Sequence, residues 1–263
     1  MHPPILRTVT ATRYVAALRT SSSVIILAEA DDDGLYALKL HGTGQGARAL
    51  VAEVVAGSIA RALGLPVPEL VLAHFAPAIA DVERDAELRD VFAASGGLNL
   101  GVDYLPGAVA FDPGRHAPPA PEFAARIVVF DLYVMNVDRM RRPSNLLVWH
   151  DNIYLIDHGA ALAFQYDWNA AFANPEVECP FIRDHVLLRF ASSLPEAARV
   201  LSGLETEVIR AIVGAVPDEW LTGEPRFPHP DQHRAAYVEF LARRRAAVVP
   251  AFVEAAEQLR RLG

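Results

Sequence analysis

Apolar residues run through Ser23 to Glu29, Asp31-Asp32-Asp33-Gly34 then supplies turn chemistry, and Leu35 to Leu40 alternates with period two. The pattern predicts a β-hairpin. Its alternation places Tyr36, Leu38 and Leu40 on one face and Leu35, Ala37 and Lys39 on the other, so a small side chain sits beside a cation on a face open to a flat ligand. After the turn His41 to Gly46, Leu50, Val51, Val54, Val55, Ile59 and Leu63 recur at helical spacing until Gly64, with Glu53 on the opposite, small-residue side beside Gly57 and Ala60.

Pro66 to Phe75 reads as a further strand, Asp81 to Asp90 as an exposed helical insertion, and Asn99 to Leu105 as a strand that closes the first part of the chain. A Pro-rich linker follows from 107 to 121. Helical patterns then occupy 121–135, about 184–192, 203–215 and 231–260, interrupted by two apolar strands, Leu146 to Trp149 and Ile153 to Ile156, around His150-Asp151-Asn152. The expected class is α+β: a β-rich lobe over residues 1–106 and a mainly helical lobe over 107–263, with a cleft between them.

Composition narrows the chemistry. A hydrophobic share of 52% supports a large core, the single Cys179 cannot form an internal disulfide, and each long apolar stretch is broken before it could span a bilayer. With no leader-like opening either, these features predict a soluble cytoplasmic protein without a membrane partner. A net charge of −8 argues against a nucleic-acid partner, and the clusters Arg139 to Arg142 and Arg243 to Arg245 read as solvated faces or helix ends. Of the 24 Lys and Arg residues, only Lys39 is lysine. An ammonium retained on such a background marks a task that a guanidinium fork does not perform.

The chemistry gathers between 136 and 157. If the two strands pair about the turn with 149 opposite 153, then Asn145 falls opposite Asp157. Opposed Cβ atoms lie about 5 Å apart, close enough for an amide oxygen and a carboxylate to share a hard cation such as Mg²⁺, whose shell phosphate oxygens would complete. Asp138, just before the ribbon, can accept a proton from an attacking hydroxyl. Asp131 sits inside an apolar helix and reads as a buried hydrogen-bonding residue rather than a second base.

The segments Tyr36-Ala37-Leu38-Lys39, Glu53, Ala60 to Pro68, Phe130 to Arg139, Asn145-Leu146-Leu147 and Ile156-Asp157-His158-Gly159 together resemble the HipA-like kinases. The resemblance implies a protein-kinase-like fold that uses ATP and Mg²⁺. It implies that Lys39 holds the ATP phosphates, Glu53 steadies Lys39, Asp138 is the catalytic base, and Asn145 and Asp157 bind the metal. By the same likeness Ser21-Ser22-Ser23 forms the turn over the phosphates. The strand from Gly101 through Val102 to Tyr104 becomes the adenine-binding hinge.

Two departures stand out. Asp138 to Asn145 is a step of seven where protein kinases use five, so the loop must bulge. The region through which HipA toxins meet their antitoxin has no counterpart here, so that partner is not implied. The expected activity is phosphoryl transfer to a hydroxyl of a protein or of the chain itself. A small-molecule kinase and a nucleotide-binding pseudokinase acting as an interaction module are the alternatives. His229-Pro230-Asp231-Gln232-His233 does not make a metal hydrolase, because Pro230 disfavours one helix through both histidines and no Glu follows the first. An activation segment over Gln165 to Pro180 is expected to be mobile.

Overall fold

The computed structural model describes residues 6–19, 24–44, 46–140, 144–173 and 180–262. The hairpin forms as β2 (Val24–Ala30) and β3 (Leu35–Lys39) in antiparallel register. A long strand, β1 (Thr8–Arg19), precedes it; β4 (Leu70–Phe75) and β5 (Gly97–Asp103) follow. The five close into a barrel in the order β1-β2-β3-β5-β4, sealed by parallel pairing of Thr8 to Thr10 with Leu72 to His74. Strand β1 escaped the alternation rule because it carries two register shifts, between Ala11 and Arg13 and between Tyr14 and Ala16. Each inserts an extra residue and resets the period of two.

Tyr36, Leu38 and Val71 are buried in the barrel core, and Ala37, Lys39, Leu100 and Val102 share the other face. Gly101 points inward, where an added Cβ would come within 2.6 Å of Val71 Cγ2 and 3.4 Å of Leu38 Cδ2. Gly101→Ala is therefore expected to destabilise the protein by about 1–3 kcal/mol through overpacking, read as a lowered urea midpoint with an unchanged slope. The acidic insertion is largely exposed over Asp81 to Asp90, with an apolar side turned inward. It forms helix α2 (Ala86–Ala93), capped by Asp85 accepting from the N–H groups of Glu87 and Leu88. Leu88 and Phe92, one turn apart, are buried against the barrel.

Helix α1 (Gly46–Ala62) is apolar nearly all round and buried from Ala49 to Ala60, because it lies between the barrel and the helical part of the chain. The helical part contains α3 (Pro121–Val134), α4 (Trp168–Ala173), α5 (Leu194–Ser202), α6 (Thr206–Gly214) and α7 (Pro230–Leu262). A three-stranded ribbon, β6 (Val109–Ala110), β7 (Leu146–Trp149) and β8 (Asn152–Leu155), lies beside it.

The helix expected over 184–192 is instead two 3₁₀ turns, Pro180–Asp184 and Leu188–Phe190. Its backbone donors are diverted: Val186 N–H bonds Arg139 O at 2.9 Å and Leu187 N–H bonds His185 Nδ1 at 3.1 Å. Among the described residues no helix is long and apolar enough to cross a membrane.

Candidate functional site

Strand β3 ends at Lys39, and α1 carries Glu53 up to it. The Lys39 ammonium is paired with Glu53 Oε1 and lies 2.6 Å from Asp157 Oδ1. Glu53 Oε1 also accepts the Gly159 N–H at 2.8 Å, so one buried carboxylate ties the barrel's cation to the segment after β8. Burial works against both charges of the inner pair. For Lys39 the two carboxylates outweigh it and hold the ammonium above its usual range. For Glu53 the opposing pull of Lys39 and His158 outweighs burial and keeps the carboxyl below its usual range. Asp157 goes the other way, since desolvation in the cleft, reinforced by Glu53, pushes its carboxyl up despite Lys39.

Strands β7 and β8 pair with Leu146 opposite Leu155 and Trp149 opposite Asn152. This is one residue away from the register read from the sequence, which set Trp149 opposite Ile153. The turn is the reason: only His150 and Asp151 form it, both at positive φ (47° and 61°), the two-residue geometry that suits a twisted hairpin. Asn145 therefore lies beside Ile156, whose N–H it accepts at 3.1 Å, and Asp157 comes one step later. Asn145 and Asp157 both adopt left-handed backbone (φ 51° and 55°), a conformation Asn and Asp tolerate better than most residues.

Asn145 Nδ2 donates to Asp138 O at 2.9 Å and to Asp138 Oδ2 at 3.0 Å, which joins the two ends of the seven-residue step. With its nitrogen so committed, the amide has its Oδ1 to offer elsewhere. Asp138 is half-buried, and its own N–H is held by Asn136 Oδ1 at 3.2 Å.

Beneath this loop lies a buried network. Asp131 is fully enclosed and accepts from Arg139 Nε at 2.9 Å, Asn136 Nδ2 at 2.8 Å and His185 Nε2 at 3.0 Å. The His185 tautomer follows from its neighbours: Nδ1 accepts the Leu187 N–H, so Nε2 carries the proton. Burial alone would raise the Asp131 carboxyl, but Arg139 and His185 outweigh it and hold it below the carboxylate range. Arg139 Nη1 reaches the carbonyls of Asn145 and Ile156, pinning both strands of the ribbon to the helix. Thus Arg139 is not part of a solvated patch, and neither is Arg244, which is buried and donates to the Leu132 and Tyr133 carbonyls at the end of α3. Arg141 and Arg142 lie outside the described residues.

A family model described as a HipA-like kinase matches residues 17–247. The chain belongs to the HipA-like kinase family. The crystal structure of a Helicobacter pylori proinflammatory kinase, CtkA, superposes with a TM-score of 0.62 at 14% sequence identity, covering 97% of this chain and 100% of that one. At that identity the likeness speaks for the fold, which is kinase-like. No curated protein matches the sequence.

In this HipA-like kinase Lys39, Glu53 and Asp157 meet in one cluster, and Asp138 and Asn145 in a second joined to it through the ribbon. Val102 lies on the Lys39 face of the barrel toward the end of β5, and Tyr104 follows that strand. Val102 is half-buried opposite Ala37, and the Tyr104 N–H is donated to Leu35 O at 2.9 Å. Ser22 and Ser23 lie outside the described residues. The start of the expected activation segment is packed rather than loose: Gln165 is buried and accepts from the Tyr237 hydroxyl at 2.7 Å, and Trp168 is buried among Phe164, Phe227 and Tyr237. Residues 174–179 lie outside the described residues. Sequence reading placed His158 in a motif without giving it a role, and passed over His185 and the buried role of Arg139. A lone Asp131 inside an apolar helix was the signal for the last, since a carboxylate there needs a cation.

Proposed function

We propose that this kinase transfers the γ-phosphoryl group of ATP to a hydroxyl of a Ser or Thr, on another protein or on itself. The observation that carries the reading is the meeting of Lys39, Glu53 and Asp157 beside the Asp138–Asn145 pair. Lys39 would bind phosphate oxygens, with Glu53 holding the ammonium in place. Val24, Lys39, Glu53, Asp157 and Gly159 line one small cavity, about 20 Å³, which the phosphates would enlarge as they draw Lys39 from Asp157.

Asn145 Oδ1 and the Asp157 carboxylate would hold Mg²⁺. Their donor set suits it: both atoms are hard oxygens, and Asn145 Nδ2 is already engaged with Asp138. Among the described residues no three His, Cys, Asp or Glu side chains group to enclose a metal. The site thus fits an ion that shares its shell with phosphate and water. When bound, Mg²⁺ neutralises charge on the phosphate oxygens. Asp138 orients the acceptor hydroxyl and takes its proton as the oxygen bonds to the γ-phosphorus and ADP departs.

The test is transfer from [γ-³²P]ATP to the chain and to generic protein acceptors, with nucleotide binding measured in parallel. Mg²⁺-dependent labelling of Ser or Thr is the expected result. Asp157→Asn is expected to weaken Mg²⁺-dependent ATP binding by about 10–100-fold, the scale for disturbing a metal's surroundings. Binding with no transfer to the chain or to the protein acceptors would favour a pseudokinase or an acceptor not supplied, and absence of Mg²⁺-dependent binding would end the reading.

A further inference from the structure

Protein kinases place a phenylalanine after the metal-binding Asp, whereas this chain places His158, a ring with two nitrogens, there. The imidazole is buried under α1, with Phe130 edge-on at 5.9 Å. Gly57 packs beside it: an added Cβ there would meet His158 Nδ1 at 3.7 Å, an ordinary contact, and would clash with Leu70 Cδ1 at 2.8 Å. Nδ1 faces Glu53 Oε2 at 3.7 Å, while Nε2 is enclosed and has no hydrogen-bond partner among the described residues. A proton on Nε2 would be a buried donor with no acceptor, so the favoured tautomer carries it on Nδ1, toward the carboxylate.

Glu53 is thus approached on both oxygens. Oε1 receives Lys39 and the Gly159 N–H, and Oε2 faces His158. We propose that His158 is a positioning residue of the kinase reaction, its Nδ1–H holding Glu53 so that the Lys39 ammonium stays aimed at the phosphates. A separation of 3.7 Å is too long for a direct hydrogen bond. Contacts of this kind are often long without substrate and tighten with it. When phosphate oxygens draw Lys39 away from Asp157, Glu53 keeps two anchors on the segment that carries Asp157, and the His158 contact shortens. The proposal rests on the reading of this cleft as the ATP site.

The experiment compares His158→Phe, which keeps a ring but removes the donor, with His158→Asn, whose amide nitrogen takes the place of Nδ1. Loss of a hydrogen bond to a charged group predicts about a tenfold fall in kcat with a raised KM for ATP in the Phe variant, and recovery of most of it in the Asn variant. A Phe variant with wild-type kinetics overturns the proposal, as do Phe and Asn variants that fall equally, because the donor restored by Asn would then contribute nothing. A second measurement needs no turnover: a double-mutant cycle of His158→Phe with Glu53→Gln, read by urea unfolding. Non-additive effects support the contact, and additive effects overturn it. If the wild type transfers no phosphate, the ATP-kinase reading falls and the cycle alone decides on His158.

Discussion

Asp138→Asn is expected to lower the rate of phosphoryl transfer by about 10²–10⁴-fold, the contribution typical of a positioned base, while nucleotide affinity stays unchanged. The substitution is nearly isosteric, and its amide oxygen can still accept from Asn145 Nδ2, which now bonds Asp138 Oδ2 at 3.0 Å. What it loses is the capacity to take a proton. Single-turnover transfer and equilibrium nucleotide binding on the same preparations separate the two effects. Transfer at the wild-type rate would move the base to another group, and a parallel loss of binding would make Asp138 part of the nucleotide site instead.

Asp131→Asn is the largest stability effect expected. The residue it would leave behind, Arg139, is one of the largest fully buried side chains, and the guanidinium would keep its carbonyl partners but lose its counter-charge. Breaking a buried pair from one side costs about 3–5 kcal/mol, against a total stability of order 5–15 kcal/mol for a typical domain. Chemical denaturation should show the midpoint falling by a large fraction of its range. The same pair gives a pH dependence with a defined sign. Asp131 is held below its unfolded value, so its contribution is complete above the unfolded carboxylate range, about pH 4, and is lost as the pH falls below it. Acid should therefore unfold the wild type more steeply than the Asn variant.

Most of the polar residues that meet in the candidate site were legible in the chain because they stand at element ends, where the apolar pattern stops. Lys39 closes a strand that alternates cleanly, and Asn145 and Asp157 flank a ribbon that apolar runs announce. The register was not legible, since whether a hairpin turn has two or three residues depends on His150 and Asp151 both taking positive φ. Strand β1 was hidden by its bulges. Arg139 and Arg244 were misread for a different reason: side chains that look solvated in a basic run are drawn inward by carbonyls left over at the end of α3 and along β7 and β8. Such partners are set by tertiary placement, and the local pattern gave only one trace of them, Asp131 inside an apolar helix.

Lys39, held between two carboxylates, is the sole ε-amine of a chain that otherwise carries its positive charge on arginine. An acylating reagent delivered on a nucleotide thus has one side-chain amine to find in this chain. Its incorporation, measured as mass gained over a Lys39→Arg variant, becomes a gauge of how often that cation is released from its carboxylates.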